Sequence, residues 1–172
     1  DLHSLHSIFS DAKTMEYYPA PFSLVQTQNW ILKNQERYEA DGYGLWGLCL
    51  KETNELIGDC GLVKQNVDGV TEVEIGYHVN KKYWSRGYAT EAARACKEYG
   101  FHQLNMNKLI SMCFERIATL INLLTGTTKT TTAILPHMLH GSIAKVALLV
   151  GKLGADRIFA IRHLTTIKAS ST

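Results

Sequence analysis

The chain predicts an α+β domain, a mostly antiparallel central sheet flanked by helices, and three observations carry that reading. First, Tyr43 to Lys51, Leu56 to Gln65 and Val70 to Asn80 are strand-like runs. The turn signals Glu52-Thr53-Asn54-Glu55 and Val67-Asp68-Gly69 separate them, which makes an antiparallel meander. Second, a long helical pattern precedes the meander. Third, the last strand runs directly into a short basic and aromatic loop and a helix that opens on a tight Gly-x-Ala turn, all within residues 72–92.

The elements follow in order. Residues 1–10 read as a short helix, followed by a loop through Pro19 and Pro21. Ser23 is a suitable N-cap for a helix to about Ala40, because its hydroxyl can take one of the unpaired first-turn amides. Leu24, Ile31 and Tyr38 give that helix an apolar edge, and Asp41-Gly42 ends it. After the meander, a helix is expected from about Thr90 to Leu104, with Ala92, Cys96 and Tyr99 facing the core. Lys108 to Cys113 reads as a short buried strand.

Composition narrows the function classes. At 172 residues the length suits one domain, and 45% hydrophobic with 20% charged residues is ordinary globular usage. A formal charge of +2, with no long basic block, argues against a dedicated nucleic-acid binder. No apolar run approaches the roughly 18 residues of a membrane span, and no signal peptide is visible. Cys49, Cys60, Cys96 and Cys113 are widely spaced without a Cys-x-x-Cys, which reads as reduced, mostly buried thiols in the cytoplasm. His3-x-x-His6 and His137-x-x-His140 lack further ligands, so no metal is expected.

The loop-to-helix segment carries the chemistry. A helix that opens on Gly87-Tyr88-Ala89 turns a row of backbone N–H groups, at the positive end of its dipole, toward an anion. There is no Walker lysine and no second glycine-rich finger, so the anion would be held mainly by backbone. Residues 72–92 resemble the acetyl-coenzyme A motif of the GNAT N-acetyltransferase superfamily, Arg/Gln-x-x-Gly-x-Gly/Ala. Gly87 and Ala89 match its small positions, and Trp84 stands where Arg or Gln is usual. Glu74-Ile75-Gly76-Tyr77 and the run from Tyr83 to Ala92 are similar to the Rim-type branch, which includes ribosomal-protein N-terminal acetyltransferases.

The resemblance implies the GNAT fold without its first strand, which would lie just before Asp1. It implies acetyl-CoA as co-substrate and a splay between the strand ending near Asn80 and the strand at 108–113. Val79, or a close neighbour, would supply the oxyanion N–H, and the amides of Arg86, Gly87, Tyr88, Ala89 and Thr90 would hold the pyrophosphate. Lys81, Lys82 and Arg86 could add charge. Glycine is expected at 87 because a Cβ would crowd the phosphate.

Period-2 alternation places Glu72, Glu74 and His78 on one strand face. A carboxylate there could draw a proton from the substrate amine through water, with Glu74 the first candidate and Glu72 the second. His78 reads as a packing or hydrogen-bonding residue, and Trp30, Trp46 and Tyr43 as core or hairpin packing. No general acid is evident, since no tyrosine follows Tyr99; Ser111 and Thr119 are weak candidates to hydrogen-bond the thiolate.

The function expected is transfer of an acetyl group to a primary amine, a protein N-terminus or a small molecule, by direct attack in a ternary complex. The alternative is a non-catalytic acyl-CoA-binding or interaction module. After residue 113 the character changes. Of 16 acidic residues only Glu115 and Asp156 lie there, against seven Lys/Arg, and residues 125–132 are a threonine-rich run. Residues 1–113 are family-like and 114–172 form an atypical C-terminal part of the single domain. That part reads either as a diverged basic tail or as a shifted frame, in which back-translation of Arg116 to Leu124 permits the family's Asn-x-x-Ser. Tail strands could also pair with a second copy in a homodimer.

Overall fold

A computed structural model describes residues 1–113, 132–134, 144–148, 161–162 and 164. The N-terminal run forms α1, Leu2–Phe9, whose Leu5, Ile8 and Phe9 are buried. Helix α2, Leu24–Asp41, starts at Ser23 with a full capping box: Ser23 Oγ accepts the Gln26 N–H at 3.3 Å and Gln26 Oε1 accepts the Ser23 N–H at 2.8 Å. Gly42 ends it in the left-handed region, φ +75°, its N–H donating to Tyr38 O.

Of the expected edge, Ile31 is buried and Tyr38 packs on the core, but Leu24 does not, and Thr27 and Asn34 complete the inward stripe. Leu24 lies roughly 60° round the helix from Thr27, at ~100° per residue, and is exposed. Polar residues stand inside because the sheet needs them. Buried Asn34 accepts the Leu45 N–H through Oδ1 at 2.9 Å and donates through Nδ2 to Trp30 O at 2.9 Å.

The meander forms as β1, Leu45–Cys49, β2, Leu56–Val67, and β3, Val70–Val79. Asp68 and Gly69, with φ of +53° and +84°, make the two-residue turn whose twist suits a hairpin. The β1–β2 register shifts between Leu48 and Cys49, leaving Ile57 as the extra residue of a bulge. At Gly58 a Cβ would stand 1.9 Å from His78 O, so only glycine permits that approach.

The pairing register puts Leu45, Gly47, Asp59, Gly61, Val63, Glu74, Gly76 and His78 on one sheet face. This face meets α1 and α2, whose core gathers Leu5, Ile8, Phe9, Met15 and Ile31. The opposite face carries Trp46, Leu48, Cys60, Leu62 and Val79 against α3, Tyr88–His102, through Ala92 and Cys96. Helix α3 begins and ends two residues earlier than expected. Left-handed Gly87 caps its start, and after His102 the chain leaves helical geometry, with Asn105 at φ +51°. Tyr99 is 37% exposed rather than inward. Its ring lies edge-on to Trp46 at 5.5 Å, covering the core from outside.

Strand β4 is Ser111–Cys113, shorter than the expected Lys108 start. Then follow β5, Thr132–Ile134, β6, Ala144–Leu148, and β7, Ile161–Arg162. One sheet has the order β3-β2-β1-β7 and the other β4-β6-β5, all named pairs antiparallel. Leu164, just past β7, is fully buried beside α1 and α2; its N–H donates to Tyr38 Oη and its C=O accepts from Gln35 Nε2, each at 3.3 Å. The threonine-rich run before Thr132 and residues 116–124, on which the shifted-frame reading turns, lie outside the described residues, and the described tail strands pair within the chain.

Candidate active site

Strands β3 and β4 touch at one parallel bridge, Glu74 to Ile110. The Ile75 N–H donates to Ile110 O at 2.7 Å and the Ile110 N–H to Val73 O at 2.9 Å. Past this point the strands part: β3 continues to Val79, while β4 pairs with β6. Backbone direction alternates along a strand. The Asn80 N–H turns back to Ile57 O of β2, so the N–H groups of Tyr77 and Val79 face the opening. The Val79 carbonyl accepts the Trp84 indole N–H at 2.7 Å, which ties the following loop to the strand end. Trp84 thus has a structural reason to stand at its motif position.

That loop is a 3-10 turn, Lys81–Tyr83, capped by the Asn80 side chain on the Lys82 N–H. Ser85 and Gly87 both adopt positive φ, +60° and +85°, and α3 starts at Tyr88. The Glu91 N–H to Gly87 O bond begins the helical ladder, so the amides of the first turn point out of its end. An added Cβ on Gly87 would meet nothing within 4 Å. The glycine is required by its backbone conformation and the ground in front of it is open. Arg86 lies over the Tyr83 ring, 5.6 Å from its centroid, and Tyr83 and Tyr88 meet edge-on. Lys81 is engaged elsewhere, its Nζ 2.6 Å from Asp11 Oδ2. That hydrogen bond, with one from the Thr14 backbone, holds the Asp11 carboxyl down at about 2.

The α1/α2 face of β3 carries the acidic candidates. Glu74 is 8% exposed, and its Oε2 accepts from Gln65 Nε2 at 2.9 Å. Glu72 forms an ion pair with Lys108, beside the closed end of the splay. His78 stands two strand positions past Gly76. Its Nδ1 is 2.7 Å from Asp59 Oδ1, and its Nε2 is 2.6 Å from Tyr18 Oη. Asp59 is fully buried, and its Oδ2 accepts Trp30 Nε1 at 2.8 Å. The His78 ring lies between Phe9, Tyr18 and Trp30 at centroid distances of 5.1–5.5 Å.

The structure therefore brings Val79 and residues 86–90 to one end of the splay and Glu74 to its other end. Tyr18 and Asp59 were not foreseen. Asp59 in Ile57-Gly58-Asp59-Cys60-Gly61 is a charge inside an apolar strand, and that is the one sequence signal for it. Tyr18 sits in an irregular loop and carries none.

Known proteins resemble the chain in the same terms. The family model described as an acetyltransferase (GNAT) domain matches residues 1–116. The uncharacterized protein YkkB of Bacillus subtilis (strain 168) is 38% identical over 105 residues, 61% of each protein. The uncharacterized N-acetyltransferase YnaD of the same strain is 31% identical over 114 residues, 66% of this chain and 64% of that protein. The chain thus spans somewhat under two thirds of the length of these relatives. Among solved structures, an acetyltransferase from Agrobacterium tumefaciens str. C58 superposes with a TM-score of 0.69 at 21% identity, covering 88% of this chain and 85% of that one. A ribosomal-protein-alanine N-acetyltransferase from Brucella melitensis gives 0.61 at 15%, covering 87% and 94%. The spermidine N-acetyltransferase from Vibrio cholerae, in complex with CoA and spermine, gives 0.59 at 14%, covering 86% and 87%. These structures share the fold. With a family match over residues 1–116, the chain belongs to the GNAT acetyltransferases.

Proposed function

We propose that the protein is an acetyl-CoA-dependent N-acetyltransferase that acetylates a primary amine by direct attack in a ternary complex. The observation that carries this reading is the end of β3 at Val79, past the Glu74–Ile110 bridge, leading into the Gly87-capped start of α3. An extended amide-bearing chain pairs with the first, and a pyrophosphate suits the second. The residues fit acetyl-CoA: Gly87 leaves its approach open, and the first-turn amides of α3 have no i−4 acceptor.

In this reading Arg86, Gly87, Tyr88, Ala89 and Thr90 hold the pyrophosphate, and the Val79 N–H points at the oxygen on which charge develops. The co-substrate supplies the acetyl thioester. Glu74 draws a proton from the amine through water as the new bond forms, and Glu72, tied to Lys108, shapes the same face. The acceptor is a peptide N-terminus or a small amine; the Glu74-Ile75-Gly76-Tyr77 run favours the peptide. A protein that uses acetyl-CoA suits the cytoplasm; separately, no helix among the described residues is long and apolar enough to cross a membrane.

Calorimetric titration with acetyl-CoA tests the reading. Wild type is expected to bind one equivalent, and Gly87→Glu to lose at least 100-fold in affinity, because it brings a negative charge and a Cβ to a left-handed position. Equal affinity in the variant would remove the cradle from the proposal. Binding without acetylation of peptide or polyamine acceptors would favour the non-catalytic acyl-CoA-binding module.

A further inference from the structure

We infer that Tyr18, His78 and Asp59 form a proton relay that takes the first proton from the acceptor ammonium, with Tyr18 as the group that meets it. The inference rests on the N-acetyltransferase reading and adds residues to its acceptor side. Acetylating an ammonium removes two protons from nitrogen. One acceptor, Glu74, serves the bond-forming step; the step that creates the neutral nucleophile needs another.

The hydrogen bonds fix the direction of the relay. The Asp59 carboxylate accepts on both oxygens: from Trp30 Nε1 on Oδ2, and from the His78 backbone N–H at 3.2 Å and ring Nδ1 at 2.7 Å on Oδ1. Nδ1 therefore carries the imidazole hydrogen, and Nε2 presents a lone pair. The partner of Nε2 is the Tyr18 hydroxyl at 2.6 Å, which must donate. Its oxygen keeps lone pairs for an incoming N–H. Burial first, then the charges of Asp59 and Glu74, push the Tyr18 phenol well up from its ordinary value, so it passes a proton along rather than surrendering one to solvent.

Placement agrees with this role. His78 and Glu74 share a face of β3 with Gly76 between them, and an added Cβ there would meet only Leu45 and Val63, at 3.5 and 3.9 Å. No β3 side chain therefore stands between the two groups, and Leu45 of β1 and Val63 of β2 flank that position. His78 also directly precedes Val79, whose N–H faces the splay. The titratable groups facing the imidazole are Asp59 from β2, Tyr18 from the loop before α2 and Glu74 along β3, while α1 and α2 present Phe9 and Trp30. An aromatic box could have been filled by an apolar side chain at lower desolvation cost, so a fully buried carboxylate and an imidazole there call for a purpose.

The step balances without redox change. The ammonium N–H proton moves to Tyr18 Oη as the phenolic proton moves to His78 Nε2. A neutral amine and an imidazolium result, the latter beside the Asp59 carboxylate. The proton returns to solvent by the same path.

Two arms test it. Imidazole ¹⁵N NMR of the full chain is expected to show His78 with hydrogen on Nδ1 and an accepting Nε2, the Nε2 signal shifting in Tyr18→Phe. Kinetics on an alanine-starting hexapeptide or spermidine are expected to show Tyr18→Phe losing about 100-fold in kcat/KM at unchanged acetyl-CoA affinity. His78→Gln is expected to lose kcat/KM to a similar extent, and both variants to change the pH profile of kcat/KM. Hydrogen on Nε2, or a wild-type profile in Tyr18→Phe, would overturn the relay. The NMR arm needs no acceptor, so its failure is separable from failure of the enzyme reading.

Discussion

At the scale of single residues, the face of β3 divides its labour by partner. Glu72 is held by Lys108, Glu74 by Gln65, and His78 by Asp59 and Tyr18. Gln65 reaches Glu74 as a neutral amide, whereas Lys108 reaches Glu72 as a cation. Glu74→Gln is therefore expected to lower kcat roughly 100-fold with acetyl-CoA affinity unchanged, measured by thiol release and calorimetry; equal turnover would move the base elsewhere. Alternation alone made these three positions legible as one face. Which of them had a partner was not legible, because Gln65, Asp59 and Tyr18 arrive from a neighbouring strand and a loop. Gly87 was legible as necessary, and its φ of +85° adds a backbone reason that spacing does not carry.

At the scale of elements, α2 shows where pattern reading stops. Its cap, length and terminating glycine follow from Ser23, Gln26 and Gly42. Its inward face does not, because Thr27 and Asn34 look like solvent residues until the β1 terminus that Asn34 caps is in place. Asn34→Ala would leave the buried Leu45 N–H without its acceptor. Chemical denaturation is expected to show a loss of about 1–3 kcal/mol, and a change below 0.5 kcal/mol would mean that water replaces the side chain. Helix α3 shifted by two residues for a related reason: a left-handed glycine caps a helix from outside, which spacing of apolar residues does not register.

At the scale of the whole molecule, the meander and both flanking helices were readable because their contacts are local and their turns carry turn residues. The splay entered through family resemblance, since no periodicity announces that two parallel strands will part. The family match ends at residue 116, close to where acidic residues almost disappear from the chain. Even so, β7 lies along β1 and Leu164 is buried against α2, so part of the basic segment contributes to the body of the fold.

The single bridge between Glu74 and Ile110 also has a consequence in time. It closes a loop of more than thirty residues that contains all of α3, while β1, β2 and β3 close through short turns. Loop-closure entropy and contact order both favour the short connections first. During refolding the meander should acquire amide protection before Ile75 and Ile110 do, which pulsed hydrogen exchange would read directly; simultaneous protection would show that helix and splay nucleate together. On that schedule the gap between β3 and β4 is the last part of the protein to form, and a ligand that filled it would act on the final step of folding.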